Sequence, residues 1–308
     1  MNLNTSIDNN YIYQSLSKSA NLKGIIHISH GKGEYIGRYS WLIKKLNSDG
    51  YHVISQDHRG HGKWIKNGHP KGIFANFNGW EIITQDLNDL INNTNKKYPD
   101  LNQYLFTHSM GSWVGLSVVM QKTSLKGLII SGSSKFPSFI MILQKLLIKI
   151  STFFSGKYAT NPLMEYITDR TWNKKFKPNR TTHDWVSSDP RSVDNYINDD
   201  MCGFRVTNSM WGDIAYGCTK AFDANSYINA EKTMPIMLIS GSNDPVSDFG
   251  NGMKDLYEML NKIFLNIQNI SIDKDRHEVF SGLKKDDAYN SLILFLKNIA
   301  DNDVDPTL

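Results

Sequence analysis

A serine inside Thr107-His108-Ser109-Met110-Gly111 follows the apolar run Tyr104-Leu105-Phe106 and precedes the small and apolar Ser112-Trp113-Val114-Gly115-Leu116. Strand, sharp turn and helix in that order lift a hydroxyl into the open. A serine hydroxyl is a weak nucleophile at neutral pH, so it needs a histidine base, an acid to orient that base, and backbone N–H donors for the oxyanion. Each has a candidate. Asp244, in Gly241-Ser242-Asn243-Asp244-Pro245-Val246, follows a predicted strand at 235–240 and is the acid. His277, in Asp273-Lys274-Asp275-Arg276-His277-Glu278, follows a predicted strand at 267–272 and is the base. Asp273 and Asp275 lie too near His277 in sequence to come from a separate strand end, and Asp248 lies further into the next segment. His108, adjacent to the serine at a tight turn, is expected to point away from it. The turn His30-Gly31-Lys32-Gly33-Glu34 offers the Lys32 N–H to the oxyanion, and Met110, next after the serine, offers its own.

These groups must be carried by strand ends. Short apolar runs at 24–29, 53–56, 103–106 and 125–131 alternate with helical patterns at 39–49, 80–97 and 110–121. That rhythm predicts βαβ units and a mostly parallel sheet flanked by helices, with ligands at the carboxyl ends of its strands. It breaks between 136 and 229, where amphipathic helical runs and loops suggest an inserted helical cap, and resumes with the strands at 235–240 and 267–272 and a last helix at 284–300. The expected organisation is a core of 1–135 with 230–308 and a cap of 136–229. Residues 11–16 are the one strand expected before Gly24, and 301–308 are expected to fray.

With 308 residues, 40% hydrophobic and 21% charged, the chain can bury a full core. The net charge of +4 is scattered along the sequence, which argues against nucleic acid as a partner. Cys202 and Cys218 have no metal spacing, and no His-Glu-x-x-His occurs, so neither a metal nor another cofactor is expected. Two cysteines, and a start at 1–30 without the pattern of a secretory signal, point to the cytoplasm. The apolar stretch 139–154 is interrupted by Gln144, Lys145 and Lys149 and falls short of a spanning helix.

Five ordered blocks resemble the α/β-hydrolases of the monoacylglycerol lipase and lysophospholipase type, within the serine aminopeptidase S33-type family. They are His30 to Tyr35 with Gly37-Arg38-Tyr39, Asp57-His58-Arg59-Gly60-His61-Gly62, His108-Ser109-Met110-Gly111, Asp244-Pro245-Val246, and Arg276-His277-Glu278. The resemblance implies an α/β-hydrolase fold and cleavage of carboxylic esters, with a lipid-like ester as substrate. Thr107 departs from the elbow pattern, which has glycine two residues before the serine. Its β-branch should crowd the turn at a cost of about 1 kcal/mol, a variant the elbow is expected to tolerate without loss of function. Asp57 and Arg59 are expected to form a local ion pair that stabilises their turn.

In the cap, Trp185, Phe204, Met210 and Trp211 are candidates to line an acyl site. The apolar face of 139–154 could pack on the body, line an acyl channel, or make transient contact with a membrane surface. A prolyl aminopeptidase-type peptidase would instead need an acidic cap pocket for a free amine, and a ligand-binding protein could keep the fold without turnover.

Overall fold

The computed structural model describes residues 9–304. Seven strands form one sheet: β1 (Ile12–Ser15), β2 (Gly24–Ser29), β3 (Tyr51–Gln56), β4 (Gln103–His108), β5 (Leu125–Ser131), β6 (Ile236–Gly241) and β7 (Ile267–Ile272). Their order is β1-β3-β2-β4-β5-β6-β7, with β1 antiparallel to β3 and every other neighbour parallel. The chain therefore leaves β2 toward one edge and returns to lay β4 on its other side. The crevice at that reversal is where open α/β sheets bind ligands.

The helices of the first half are α1 (Ser40–Ser48), α2 (Gly62–Lys66), α3 (Gly79–Lys97) and α4 (Met110–Val118). Between β5 and β6 come α5 (Ser138–Ser155), α6 (Pro162–Glu165), a π turn at Tyr166–Arg170, α7 (Thr171–Lys174), α8 (Pro190–Ile197) and α9 (Asn208–Ala221), and among the described residues no strand of the sheet. α10 (Asn251–Leu260) and α11 (Lys285–Val304) complete the fold.

Alternation along the strands divides the core in two, because successive side chains point to opposite faces. Ile25, Leu105, Leu128, Ile130, Ile236 and Leu238 meet Ile83 and Leu87 of α3, Leu116 of α4 and Leu256 of α10. On the other face Ile26, Ile28, Phe106, Ile129, Met237 and Ile239 meet Leu42 and Leu46 of α1 and Leu292 and Leu296 of α11. With both faces covered, the central strands read in sequence as unbroken apolar runs.

Three expectations are adjusted. Residues 11–16 condense to β1, and the last helix continues through Val304, so that only 305–308 of the expected frayed tail, like residues 1–8, lie outside the described residues. Asp57 accepts from Ile36 N, Lys63 N and Tyr13 Oη, while Arg59 reaches across to Asp86 of α3 (2.6 Å); the turn is stabilised by contacts distant in sequence. Finally, most of the apolar face of α5 is not packed on the body. Met141 and Ile148 are buried, but Phe139, Ile142, Phe153 and Phe154 are 70%, 68%, 84% and 81% exposed. By length and composition alone this 18-residue helix could cross a membrane. At its C-terminal end Asn208 Nδ2 donates to Gly156 O (2.9 Å).

Candidate active site

Ser109 sits between β4 and α4 with φ 52° and ψ −123°, a backbone conformation that costs a non-glycine residue about 1–3 kcal/mol. Three hydrogen bonds hold it there: Ser109 N donates to Ser131 O (3.0 Å), and Ser112 N (2.9 Å) and Ser112 Oγ (2.5 Å) both donate to Ser109 O. The turn also needs Gly111, since a Cβ there would stand 2.1 Å from Ser29 O. Thr107, expected to crowd the elbow, is fully buried and accommodated. Its Oγ1 donates to Ile129 O on the neighbouring strand (2.7 Å), and its methyl faces Gly115, where a Cβ would come within 2.5 Å of it.

Asp244 and His277 come from the ends of β6 and β7, which are neighbours in the sheet. His277 Nδ1 lies 3.0 and 3.1 Å from the two Asp244 oxygens, and both residues are buried. The carboxylate also accepts from Val246 N (2.9 Å). Because only Nδ1 faces the carboxylate, that nitrogen carries the proton and Nε2 is left with a free lone pair. Burial works against the imidazolium, but Asp244 and then Glu278 and Glu34 outweigh it and raise the His277 pKa above the ordinary histidine value. The rival carboxylates are engaged elsewhere: Asp275 with Ser188 Oγ (2.5 Å) and Asp273 with Lys284 (3.6 Å).

The loop after β2 approaches the serine closely, for a Cβ on Gly31 would lie 3.2 Å from Ser109 Cβ. Its peptides are held by named partners. Gly31 N donates to Glu34 Oε1 (2.6 Å), His30 Nδ1 donates to Gly31 O (2.8 Å), and Gly33 N donates to His61 Nε2 (3.1 Å). His30 must carry its proton on Nδ1, because its Nε2 accepts from His58 N (2.9 Å). Fixing Gly31 O turns the Lys32 N–H of the same peptide to the opposite side. Met110 N–H belongs to the first turn of α4, where helical amides have no intrahelical partner.

Ser109, Met110, Lys32, Gly31 and His277 line one cavity of about 60 Å³ with Trp113, Trp172, Trp185, Tyr196, Trp211, Ile214 and Val246. A larger cavity of about 390 Å³ lies behind Glu34, His108 and Glu278, which line both, but Ser109 does not line it. In that wall Arg38 pairs with Glu34 (2.9 Å) and bidentately with Glu278, under the Tyr196 ring. Burial opposes ionisation of Glu34, yet above all the Arg38 guanidinium holds its pKa down to about 2.

A family model described as "Serine aminopeptidase, S33" matches residues 20–283. The chain belongs to this α/β-hydrolase family. It is 30% identical over 125 residues to the monoglyceride lipase of rat (Rattus norvegicus), 40% of this chain and 39% of that protein, so the match spans well under half of that relative's length. It is 27% identical over 244 residues, 79% of each chain, to the monoglyceride lipase homolog of Monkeypox virus. The solved structure of a thermostable carboxyl esterase from Bacillus coagulans superposes with a TM-score of 0.85 at 24% identity, covering 94% of both chains.

Within this α/β-hydrolase fold, the insertion supplies much of the pocket wall. Trp185 and Trp211 line the cavity, and the Trp185 ring is 5.2 Å from that of His277. Phe204 packs instead on His61 (5.3 Å), and Met210 is fully buried in the core, so neither is among the lining residues. The His108 ring sits 4.7 Å from that of His277. Burial, and then His277, push its pKa down to about 4, so it stays neutral. Sequence reasoning missed Trp113, Trp172, Tyr196 and Asp169 as lining residues, although Trp113 had a signal in its place four residues after the serine.

Proposed function

We propose that this α/β-hydrolase cleaves carboxylic esters through an acyl-enzyme, with single acyl chains on glycerol or on a lysophospholipid as its substrates. Ser109 Oγ attacks the ester carbonyl while His277 Nε2 takes its proton, and Asp244 stabilises the imidazolium. The oxyanion accepts from Lys32 N–H and Met110 N–H, each worth about 3 kcal/mol in comparable sites. Collapse expels the alcohol, protonated by His277. Water then gives a proton to the same nitrogen and attacks the acyl-enzyme, and His277 returns that proton to Ser109 Oγ as the acid is released. The observation that carries this reading is the buried Asp244–His277 pair facing the cavity that holds the left-handed Ser109.

Residues 136–229 act as a cap. The substrate cavity of about 60 Å³ is far smaller than the roughly 300 Å³ of ordinary ligand pockets, so the cap opens to admit substrate. Trp113, Trp172, Trp211 and Ile214 also line an apolar space beneath α5 closed by Met164 and Cys218, and that space suits an acyl chain. The exposed Phe153 and Phe154 of α5, with Lys149 beside them, make transient contact with a bilayer. Replacing both phenylalanines with serine should weaken sedimentation with anionic vesicles, and unchanged sedimentation would remove this contact. Buried, free Cys202 and Cys218 suit the reducing cytoplasm.

A peptidase of the prolyl aminopeptidase type is disfavoured, because the cap carboxylate in the pocket, Asp169, already pairs with Lys32 (3.2 Å). A ligand-binding role without turnover gives no reason for the strained Ser109. A panel of monoacylglycerols, lysophosphatidylcholines, p-nitrophenyl esters and prolyl amides tests the reading. Turnover of esters is expected; turnover of prolyl amides alone would replace it.

A further inference from the structure

The loop that carries the Lys32 N–H is held from two sides. The body fixes its peptides through His30, Glu34 and His61. The cap reaches the same loop at two other points: Gly203 N donates to Gly33 O (2.9 Å), and Asp169 Oδ2 lies 3.2 Å from Lys32 Nζ, which stands 5.0 Å from the centre of the Trp211 ring. Asp169 and Lys32 are 137 residues apart, and their side chains are only 9% and 18% exposed. Asp169 sits in the π turn at Tyr166–Arg170, an irregularity found often at functional sites. A charge pair so far out of water loses much of its attraction if either member moves into solvent.

We propose that Asp169 is a positioning residue that anchors the oxyanion loop to the cap, so that the Lys32 N–H is correctly placed only while the cap is closed. This rests on the hydrolase reading and deepens it. Substrate entry parts the cap from the loop, and its return restores the Asp169–Lys32 and Gly203–Gly33 contacts before acyl transfer. Water is thereby excluded and the oxyanion donor is set in one movement. Asp169 borders the cavity, and its Oδ1 has no partner among the described residues. A rival role is therefore direct contact with the polar end of the substrate.

The two roles separate on p-nitrophenyl acetate, which has neither a long chain nor a glycerol. Asp169→Ala should lower kcat on it about tenfold with little change in KM, Lys32→Met should do the same, and the double variant should be no worse than either. Asp169→Glu should recover most of the rate. The proposal is overturned if the two losses multiply, or if Asp169→Ala turns over acetate like the wild type. A change confined to KM for monoacylglycerols would assign Asp169 to substrate contact and overturn it equally. If Asp169→Ala fails to fold by circular dichroism, Lys32→Met and Asp169→Glu decide the question, a normal acetate rate in Lys32→Met refuting the anchor. A wild-type protein inactive on every ester would overturn the hydrolase reading itself, a result distinct from all of these.

Discussion

Gly115→Ala should change the sign of its effect on stability according to what stands at position 107. In the interior of a helix, alanine is favoured over glycine by about 1 kcal/mol. At Gly115 of α4 the new Cβ would lie 2.5 Å from the Thr107 methyl, with Leu105 and Leu128 at 3.4 and 3.5 Å. The threonine cannot turn aside cheaply, because its hydroxyl donates to Ile129 O at 2.7 Å in the closed interior. Overpacking of this kind costs about 1–3 kcal/mol, and losing the buried hydrogen bond adds about 1 kcal/mol. Gly115→Ala should therefore destabilise the protein by about 1–3 kcal/mol in urea unfolding, read from a lower midpoint at unchanged m. Thr107→Ser keeps the hydroxyl and deletes the methyl, and in that background the same Gly115→Ala should stabilise by up to about 1 kcal/mol. Stabilisation in the presence of Thr107, or equal destabilisation in both backgrounds, would refute the claim that the elbow tolerates its threonine through Gly115.

Two further outcomes follow from the site. Since His277 must be neutral to act as base and the carboxylates around it raise its pKa, activity should rise with pH through a midpoint above the ordinary histidine value. Glu278→Gln removes one of those charges and should move the acidic limb of the kcat/KM profile to lower pH; a limb that stays in place would contradict the electrostatics. Cys218→Phe should fill the apolar space beneath α5 and lower the kcat/KM ratio of long-chain over butyrate esters at least tenfold, because each excluded methylene is worth about 0.8 kcal/mol. An unchanged ratio would remove the acyl chain from that space.

Much of the fold was readable in the sequence because its strands are covered on both faces and carry their partners at their ends. The runs at 24–29 and 103–106 announced β2 and β4, and the turns after them announced Ser109 and the His30–Glu34 loop. Thr107 was readable as a crowded position. Its relief was not, since it depends on Gly115 lying across a strand–helix contact. The Lys32–Asp169 pair escaped for a related reason, as residues 136–229 reach the loop from far along the chain. Arg59 likewise has a partner on α3, Asp86, that nothing in its own stretch of sequence announces. Phe204 and Met210 show the reverse error: large apolar residues in the cap look alike in sequence whether they line a cavity or fill the core.

The central claim is that Ser109 forms an acyl-enzyme, with His277 as base. Mass spectrometry of the protein quenched during turnover of a monoacylglycerol, or after reaction with a fluorophosphonate, addresses it directly. A single adduct on the peptide containing Ser109 is expected, absent in Ser109→Ala and strongly slowed in His277→Ala. Ester hydrolysis that continues in Ser109→Ala, or an adduct on any other residue, would contradict it.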